Sequence, residues 1–229
     1  AQADLIYDAY QKNSNLRAIA GLYTEACQLV VRADSDIKSL DDLSGHTVSI
    51  GAEESGTERN ASEILEFAGM PSSIVKTKNL DYIDAAHQLE TGDIDAFFCT
   101  AGLTTTIIEE LSRECEIRLI SIDDSIIDKM LSTSDAYSRY TIPAGTYKGQ
   151  DEEVSTIGVT SVLVTSDSMS SDIIKQMTAM LFENAKELQY STSLDLHLNE
   201  KFAITNIPIP FHEGAVEYYE DNGLDVNAY

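Results

Sequence analysis

The segment Ser49-Ile-Gly-Ala-Glu-Glu-Ser-Gly-Thr-Glu-Arg-Asn-Ala61 carries the residue types best suited to hold a small anion. A strand-like run enters a Gly/Ser/Thr turn that opens a helix. Backbone N–H groups at a helix start have no intrahelical partner and sit at the positive end of the dipole, so they favour a carboxylate or phosphate. Ser55 and Thr57 add hydroxyl donors, and Gly56 lets the backbone approach a ligand closely. The same residues also read as a plain helix cap, and taken alone that reading outweighs the other. Rossmann, P-loop and Gly-x-Ser-x-Gly patterns are all absent, so Ser55 is not read as a nucleophile.

A second candidate is Cys99-Thr-Ala-Gly-Leu-Thr104, at the carboxyl end of an apolar run. Open α/β sheets bind ligands at that edge. Thr100 and the Gly102 amide are expected to face the same crevice as Ser55, with a plain βα turn an equal reading. Tyr23, Glu25 and Gln28 lie on an early strand, where an aromatic beside a cleft either stacks on a ligand or only packs. The pairs Asp41-Asp42, Glu53-Glu54, Asp123-Asp124 and Glu152-Glu153 are adjacent in sequence, which points their carboxylates apart. They are expected on the solvated surface. Cys27, Cys99 and Cys115 have irregular spacing and suggest neither a zinc site nor a disulfide framework, and Cys99 reads as a buried small hydrophobe. His46, His87, His197 and His212 show no ligand spacing. No metal, cofactor or catalytic residue is expected, because no convergent acid, base and nucleophile can be assembled.

The net charge of −24, from 39 acidic against 15 basic residues, repels phosphate backbones and argues against a nucleic-acid partner. Any anionic ligand must be held by local donors working against that field. No stretch approaches the roughly 20 apolar residues of a bilayer span. No secretory leader is visible, which is compatible with one having been removed.

Short β runs alternate with helical patterns through the middle of the chain. Strands are expected at 47–50, 94–99 and 117–122. Helices are expected at 57–68, at 81–89 (capped by Asp81 and closed by Gly92), near 103–113, and from Asp123 or Asp124 to Leu131. This repetition predicts an α/β fold with mostly parallel sheets. Residues 137–153 read as polar turn, 170–190 as one helix with Ile173, Ile174, Met177, Leu181, Ala185 and Leu188 in register, and 207–210 as extended chain. A short helix is expected at 213–222. Two β-rich stretches, 26–32 and 157–165, bracket the middle as a hinge pair. Residues 33–156 would form one lobe, and residues 1–25 with 166–229 the other. That second lobe is thin for an independent core, so it is expected to be incomplete and the chain an N-terminally truncated form of a longer protein.

Leu22-Tyr-Thr-Glu25, Gln28-Leu-Val-Val-Arg32, Ile37-Lys-Ser-Leu-Asp-Asp-Leu-Ser-Gly45 and Glu54-Ser-Gly-Thr-Glu-Arg-Asn-Ala61 occur in that order. Gly92-Asp-Ile-Asp-Ala-Phe-Phe98, Thr100-Ala-Gly-Leu103, Ile142-Pro-Ala-Gly-Thr-Tyr147 and Pro208-Ile-Pro-Phe-His-Glu-Gly-Ala215 complete the series. This ordered series resembles solute receptors of the TAXI type that serve TRAP transporters. The resemblance implies a two-lobed type II periplasmic-binding-protein fold that closes on a small organic acid of the glutamate, glutamine or 2-oxo acid kind. It also implies delivery to TRAP membrane permease subunits driven by an ion gradient, and an extracytoplasmic location, in the periplasm or lipid-anchored at the cell surface. Carried onto matching positions, Ser55, Gly56, Thr57 and Thr100 would be contacts from one lobe, with Tyr23 and Glu25 at the hinge. The family's glycine-rich N-terminal strand–helix segment has no counterpart before Ala1, which leaves Gln2 as the surviving contact of that section. Arg59 stands where a small residue is more usual, and is expected either to pair with Glu63 or to reach toward an anion. A homodimer through the incomplete lobe is a further expectation, and a ligand-sensing or enzymatic domain on the same fold is the alternative function.

Overall fold

A computed structural model of the chain describes residues 1–192 and 194–226. The chain divides into two units, Ala1–Thr24 with Val159–Tyr229, and Glu25–Gly158. Strand β1 (Leu16–Arg32) and strand β7 (Val154–Ser166) each run from one unit into the other. The β1 strand begins ten residues before the stretch expected from sequence, because Leu16–Glu25 mixes half-buried polar residues with Ala and Gly and carries a weaker β pattern than 26–31, which is buried on both faces.

The unit Glu25–Gly158 is α/β, as expected. Its elements are β2 (Thr47–Ser49), α2 (Gly56–Phe67), β3 (Lys76–Lys78), α3 (Tyr82–Thr91), β4 (Ala96–Ala101), α4 (Thr106–Glu114), β5 (Ile117–Ile120), α5 (Asp124–Thr133) and β6 (Tyr137–Ile142). The sheet order is β3-β2-β4-β1-β7-β6, with β5 also pairing with β1. The β2 strand is parallel to β3 and β4, whereas β1 is antiparallel to β4 and β5. One sheet face packs Ala26, Val30, Phe97 and Cys99 against Leu89 of α3 and Ile108 and Leu111 of α4. Alternate residues of a strand face opposite ways, so Cys27, Leu29, Phe98 and Thr100 lie on the other face, with α2. Phe97 and Phe98 are both fully buried, each stabilising the unit by about 1.5–3 kcal/mol.

Local signals place the helices. Asp81 caps α3 by accepting from the Asp84 amide, and Gly92 closes it in the left-handed conformation at φ 81°. Asp123 stands at the N-cap of α5 but makes no side-chain cap bond. Its neighbour Asp124, with Asp128, holds Arg139 instead. The four acidic pairs are exposed, as their spacing implied. Two strands escaped the sequence pattern. The β3 strand is exposed Lys-Thr-Lys with no apolar residue, held at the sheet edge by its ladder to β2. The β6 strand buries only its end residues, Tyr137 and Ile142.

The other unit contains α1 (Ala3–Lys12), α6 (Ser171–Glu183), α7 (Ala185–Tyr190), α8 (Glu200–Ala203) and α9 (Glu213–Asp221). Gln2 is the N-cap residue of α1 and forms an isolated bridge with Ser161. The single helix expected over 170–190 is broken at Asn184, whose side-chain amide donates to the Met180 carbonyl at 2.7 Å and so competes with the helical ladder. The buried stripe also differs from expectation. It keeps Ile174 as expected and adds Thr178, while Ile173 and Met177 are 49% and 44% exposed. Tyr219 of α9 is fully buried, donates to the Ile19 carbonyl at 2.9 Å, and packs edge-on against Phe182 and Phe211.

Candidate functional site

The strongest site within Glu25–Gly158 is built where β2 ends and α2 begins. After Ser49 the chain turns at Gly51, whose φ of +97° is closed to most L side chains. A Cβ there would stand 2.7 Å from Thr57 Cβ, so the turn folds directly onto the helix start. Ser55 is the N-cap, its Oγ accepting from the Glu58 amide at 3.1 Å. Glu58 reaches back with one carboxylate oxygen to accept from the Glu54 amide at 2.6 Å, and with the other to accept from the Asn79 side chain at 2.7 Å. Asn79 also donates to the Gly51 carbonyl at 3.1 Å, which pins the turn to the strand beside it. This resembles a capping box with the glutamate reaching one residue further back. The amide of Arg59 goes to the Ser55 carbonyl, which leaves the amides of Gly56 and Thr57 as the open donors of the first turn among the described residues. The Ser55 hydroxyl accepts from Glu58 and keeps its own proton to donate.

Thr57 plays a part that sequence did not indicate. The β2 strand stops at Ser49, opposite Phe97, whereas β4 continues to Ala101, so the edge of β4 at Thr100 has lost its strand neighbour. Two side chains replace it. Thr57 Oγ1 accepts from the Thr100 amide at 3.2 Å, and the Tyr82 hydroxyl donates to the Thr100 carbonyl at 2.9 Å. Thr57 Oγ1 and Tyr82 Oη are 2.6 Å apart. Tyr82 has one proton and spends it on Thr100, so the proton between the two hydroxyls belongs to Thr57. The three residues close a ring of hydrogen bonds in which neither hydroxyl keeps a donor for a ligand. Burial pushes the Tyr82 phenol above its ordinary range, with Cys99 and Glu25 adding to the shift, so it remains a protonated donor.

Thr100 itself is different. The residue is 3% exposed and its Oγ1 is buried with no hydrogen-bond partner among the described residues. A buried hydroxyl left unsatisfied costs about 1–3 kcal/mol. It stands on the α2 face of the sheet, its own amide tied to Thr57. Glu25 shares that face. Cys27 pairs with Thr100 across β1 and β4, and residue 25 lies two positions from Cys27 on the same side of the strand. Its charge also helps burial raise the Cys99 thiol above the usual range.

The remaining sequence candidates fall as follows. Arg59 forms the i,i+4 pair with Glu63 at 3.2 Å, and the second Glu63 oxygen accepts from Tyr137 at 2.8 Å. Gly102 offers its carbonyl to Thr105 Oγ1 at 3.0 Å. Tyr23 belongs to the other unit. Tyr82 and Asn79 were missed, although the Asp81 cap put Tyr82 on the first turn of α3, at the same sheet edge.

A second polar network supports the turn after β4. Gln28 is fully buried, donates to Thr105 Oγ1 at 2.9 Å and accepts from the Tyr147 hydroxyl at 2.7 Å. Tyr147 in turn accepts from the Thr105 amide at 3.1 Å, which joins the Ile-Pro-Ala-Gly-Thr-Tyr loop to the 102–105 turn. Tyr147→Phe strands both Gln28 Oε1 and the Thr105 amide. Urea unfolding is expected to show a loss of about 1–3 kcal/mol. A variant as stable as the parent would show that water replaces the phenol freely.

Among the described residues, no group of three or more His, Cys, Asp or Glu could hold a metal ion. Among the described residues, no helix is long and apolar enough to cross a membrane.

The NMT1-like family profile matches residues 1–223. Among solved structures, the chain is similar to the periplasmic aliphatic sulphonate binding protein SsuA of Escherichia coli, at 14% identity over 96% of this chain and 60% of that one, with a TM-score of 0.48. It is similar to arginine-bound ArgBP of T. maritima at 14% identity, over 78% of this chain and 62% of that one, with a TM-score of 0.43. A structure from work on glutathione import via GshT and the cystine ABC importer TcyBC of Streptococcus mutans matches at 16% identity, over 89% and 69% of the two chains, with a TM-score of 0.46. The chain thus spans about three-fifths of the length of the first two proteins.

Proposed function

Since this chain belongs to the NMT1-like family, we propose that it is an extracytoplasmic receptor that captures a small organic acid and hands it unchanged to a membrane permease. The observation that carries this reading is the unpartnered buried hydroxyl of Thr100 beside the open amides of Gly56 and Thr57. Three neutral donors at a helix start suit a carboxylate, and they act locally in a chain whose net charge of −24 would otherwise repel it. Ser55 adds a fourth donor. Thr57 contributes its amide, since its hydroxyl is spent within the ring. The family match is coarser than the resemblance stated from sequence. Assignment to a TAXI-type receptor and a TRAP permease is supported by that resemblance, above all by the Ser-Gly-Thr-Glu and Ile-Pro-Ala-Gly-Thr-Tyr segments.

Thr100→Val tests the site. Removing an unpartnered buried hydroxyl is expected to leave the unliganded chain as stable as before, or slightly more so. Affinity for the acid is expected to fall about tenfold, equivalent to one hydrogen bond of about 1.4 kcal/mol. Calorimetric titration and melting temperatures measure the two effects separately. Ligand at 100 times Kd should stabilise the parent by about 2.7 kcal/mol. If neither amino acids nor 2-oxo acids shift the melting temperature at millimolar concentration, the receptor reading falls.

A further inference from the structure

Helices α3 and α4 of Glu25–Gly158 leave a groove between them, and we infer that this groove docks a cationic amphipathic helix of a protein partner. The inference stands without the acid-receptor reading of the Ser55–Thr57 helix start.

Spacing builds the groove. Helix α3 lines it at positions 83, 86, 87 and 90, and α4 lines it at 107, 110, 111 and 114. Both sets follow the i, i+3, i+4, i+7 spacing of one helix face, so two ridges flank a hollow of about 170 Å³. Its floor is apolar. Ala86 and Leu111 are buried, whereas Ile83 is 71% exposed and shares the hollow with half-buried Ile107. Two isoleucines on one hollow differ from a singly scattered apolar residue, which needs no partner. The other end is acidic. Burial pushes the Cys115 thiol up, and Glu90 and Glu114 both add to that rise, so the last turns of α3 and α4 lie at the same end of the groove.

Charge selects the occupant. Glu110 and Glu114 are like charges at i,i+4, and neither has a hydrogen bond or ion pair with another described residue. Glu90 and Glu114 stand in last turns, at the negative ends of two helix dipoles. Each placement is unfavourable in the chain alone, and a cation in the groove reverses its sign. The neighbouring cations are committed elsewhere. Arg113 pairs with Glu109, and Arg32 pairs with Asp34 at 2.8 Å while donating to the Glu90 carbonyl at 3.1 Å. A second copy of this chain would bring another charge of −24 to an acidic groove, and an anionic lipid surface is repelled in the same way. A basic helix suits both the shape and the sign, because the ridge of a third helix seats between two others. Positions 83 and 90 are two turns apart, about 10 Å, so the partner carries an apolar anchor with Lys or Arg about two turns away.

The test titrates the methyl-labelled 229-residue chain with a Leu/Lys amphipathic helical peptide, and with a Leu/Glu peptide of the same pattern, following isoleucine methyl NMR shifts. The Leu/Lys peptide is expected to bind with its shifts concentrated at Ile83 and Ile107, and more weakly as salt is raised. The Leu/Glu peptide is expected not to bind. Ile83→Ser, at a position too exposed to disturb folding, is expected to weaken binding of the Leu/Lys peptide about tenfold. The double reversal Glu110→Lys with Glu114→Lys is expected to weaken it about fivefold or more. Glu152→Lys with Glu153→Lys makes the same change of net charge outside the groove, and less than about twofold weakening is expected. Equal loss in the two reversals overturns the inference, because net charge alone then holds the peptide. Shifts spread evenly over the chain, equal binding of the Leu/Glu peptide, or no binding of the Leu/Lys peptide overturn it as well. Sedimentation showing a dimer that Ile83→Ser dissociates also overturns it, and gives the groove to a second copy of the chain.

Discussion

Gly51→Ala is expected to abolish tight ligand binding and to lower the stability of Glu25–Gly158 together. Two costs add at this position. The backbone sits at φ +97°, where a Cβ is strained, and the new methyl would meet Thr57 Cβ at 2.7 Å, Thr57 Cγ2 at 2.8 Å and Ser55 Oγ at 3.0 Å. Strain and overlap together are expected to cost about 2–4 kcal/mol. Gly69→Ala separates the two. Gly69 also has a positive φ, but a Cβ there meets nothing within 4 Å, so only strain of about 1 kcal/mol is expected. The excess in Gly51→Ala is the overlap with the helix start. Because Thr57 is held by Tyr82 and Thr100, it cannot retreat without opening that ring. The amides of Gly56 and Thr57 are therefore re-aimed, and affinity is expected to fall by at least about tenfold. Equal stability of the two variants in urea would show that the turn and α2 part easily, and the site would then be less rigid than the hydrogen bonds imply.

Gly214→Ala is expected to be the most damaging single methyl in the other unit. A Cβ at Gly214 would lie 2.1 Å from the Ser171 carbonyl oxygen, 2.9 Å from its carbon and 3.0 Å from the Lys175 amide nitrogen. All three are backbone atoms, so no side chain can rotate out of the way. Either α9 or α6 must move as a body. That movement loosens the contacts that hold the pair together, including the stacked rings of Phe182 and Tyr218 at 5.7 Å and the Lys175 ion pairs with Glu217 and Asp221. The cost is expected to be about 3 kcal/mol or more, against about 1 kcal/mol for Gly223→Ala, where the positive φ is strained but no atom lies within 4 Å. Near-ultraviolet circular dichroism should report the loss of ring packing before the far-ultraviolet helix signal falls. A Gly214→Ala chain that matched Gly223→Ala in urea would mean that the two helices slide apart at little cost.

Much of the α/β framework was legible because its signals are local. The Asp81 cap and the Gly92 stop bracket α3 within a dozen residues, and the Ser55 cap does the same for the start of α2. Elements without such signals were missed. The α1 helix has Gln2 at its N-cap with no side-chain bond, β3 is polar throughout, and β6 buries only its two ends. Those three exist because a neighbour supplies what their own residues do not. The misassigned face of α6 has the same origin. Its apolar residues cover more than one side of the helix, so periodicity put Ile173 and Met177 in register with Ile174, whereas the structure buries Ile174 and Thr178 and leaves Ile173 and Met177 largely exposed.

The Ser55–Thr57 segment opened the search for chemistry, and by itself it established that a donor-rich turn starts a helix at the end of a strand. The strongly acidic composition was equally plain from residue types. Which donors remain for a ligand was decided only by tertiary structure. Thr57 is tied to Tyr82, 25 residues away, and to Thr100, 43 residues away, so its hydroxyl is consumed while the Thr100 hydroxyl is left over. The register of β1 on β4 brings Glu25 to the same face, a relation between residues far apart in the chain. A sequence states what each side chain can donate or accept. Whether the donor is still available depends on its partners, and those are set by where strands end and how they pair.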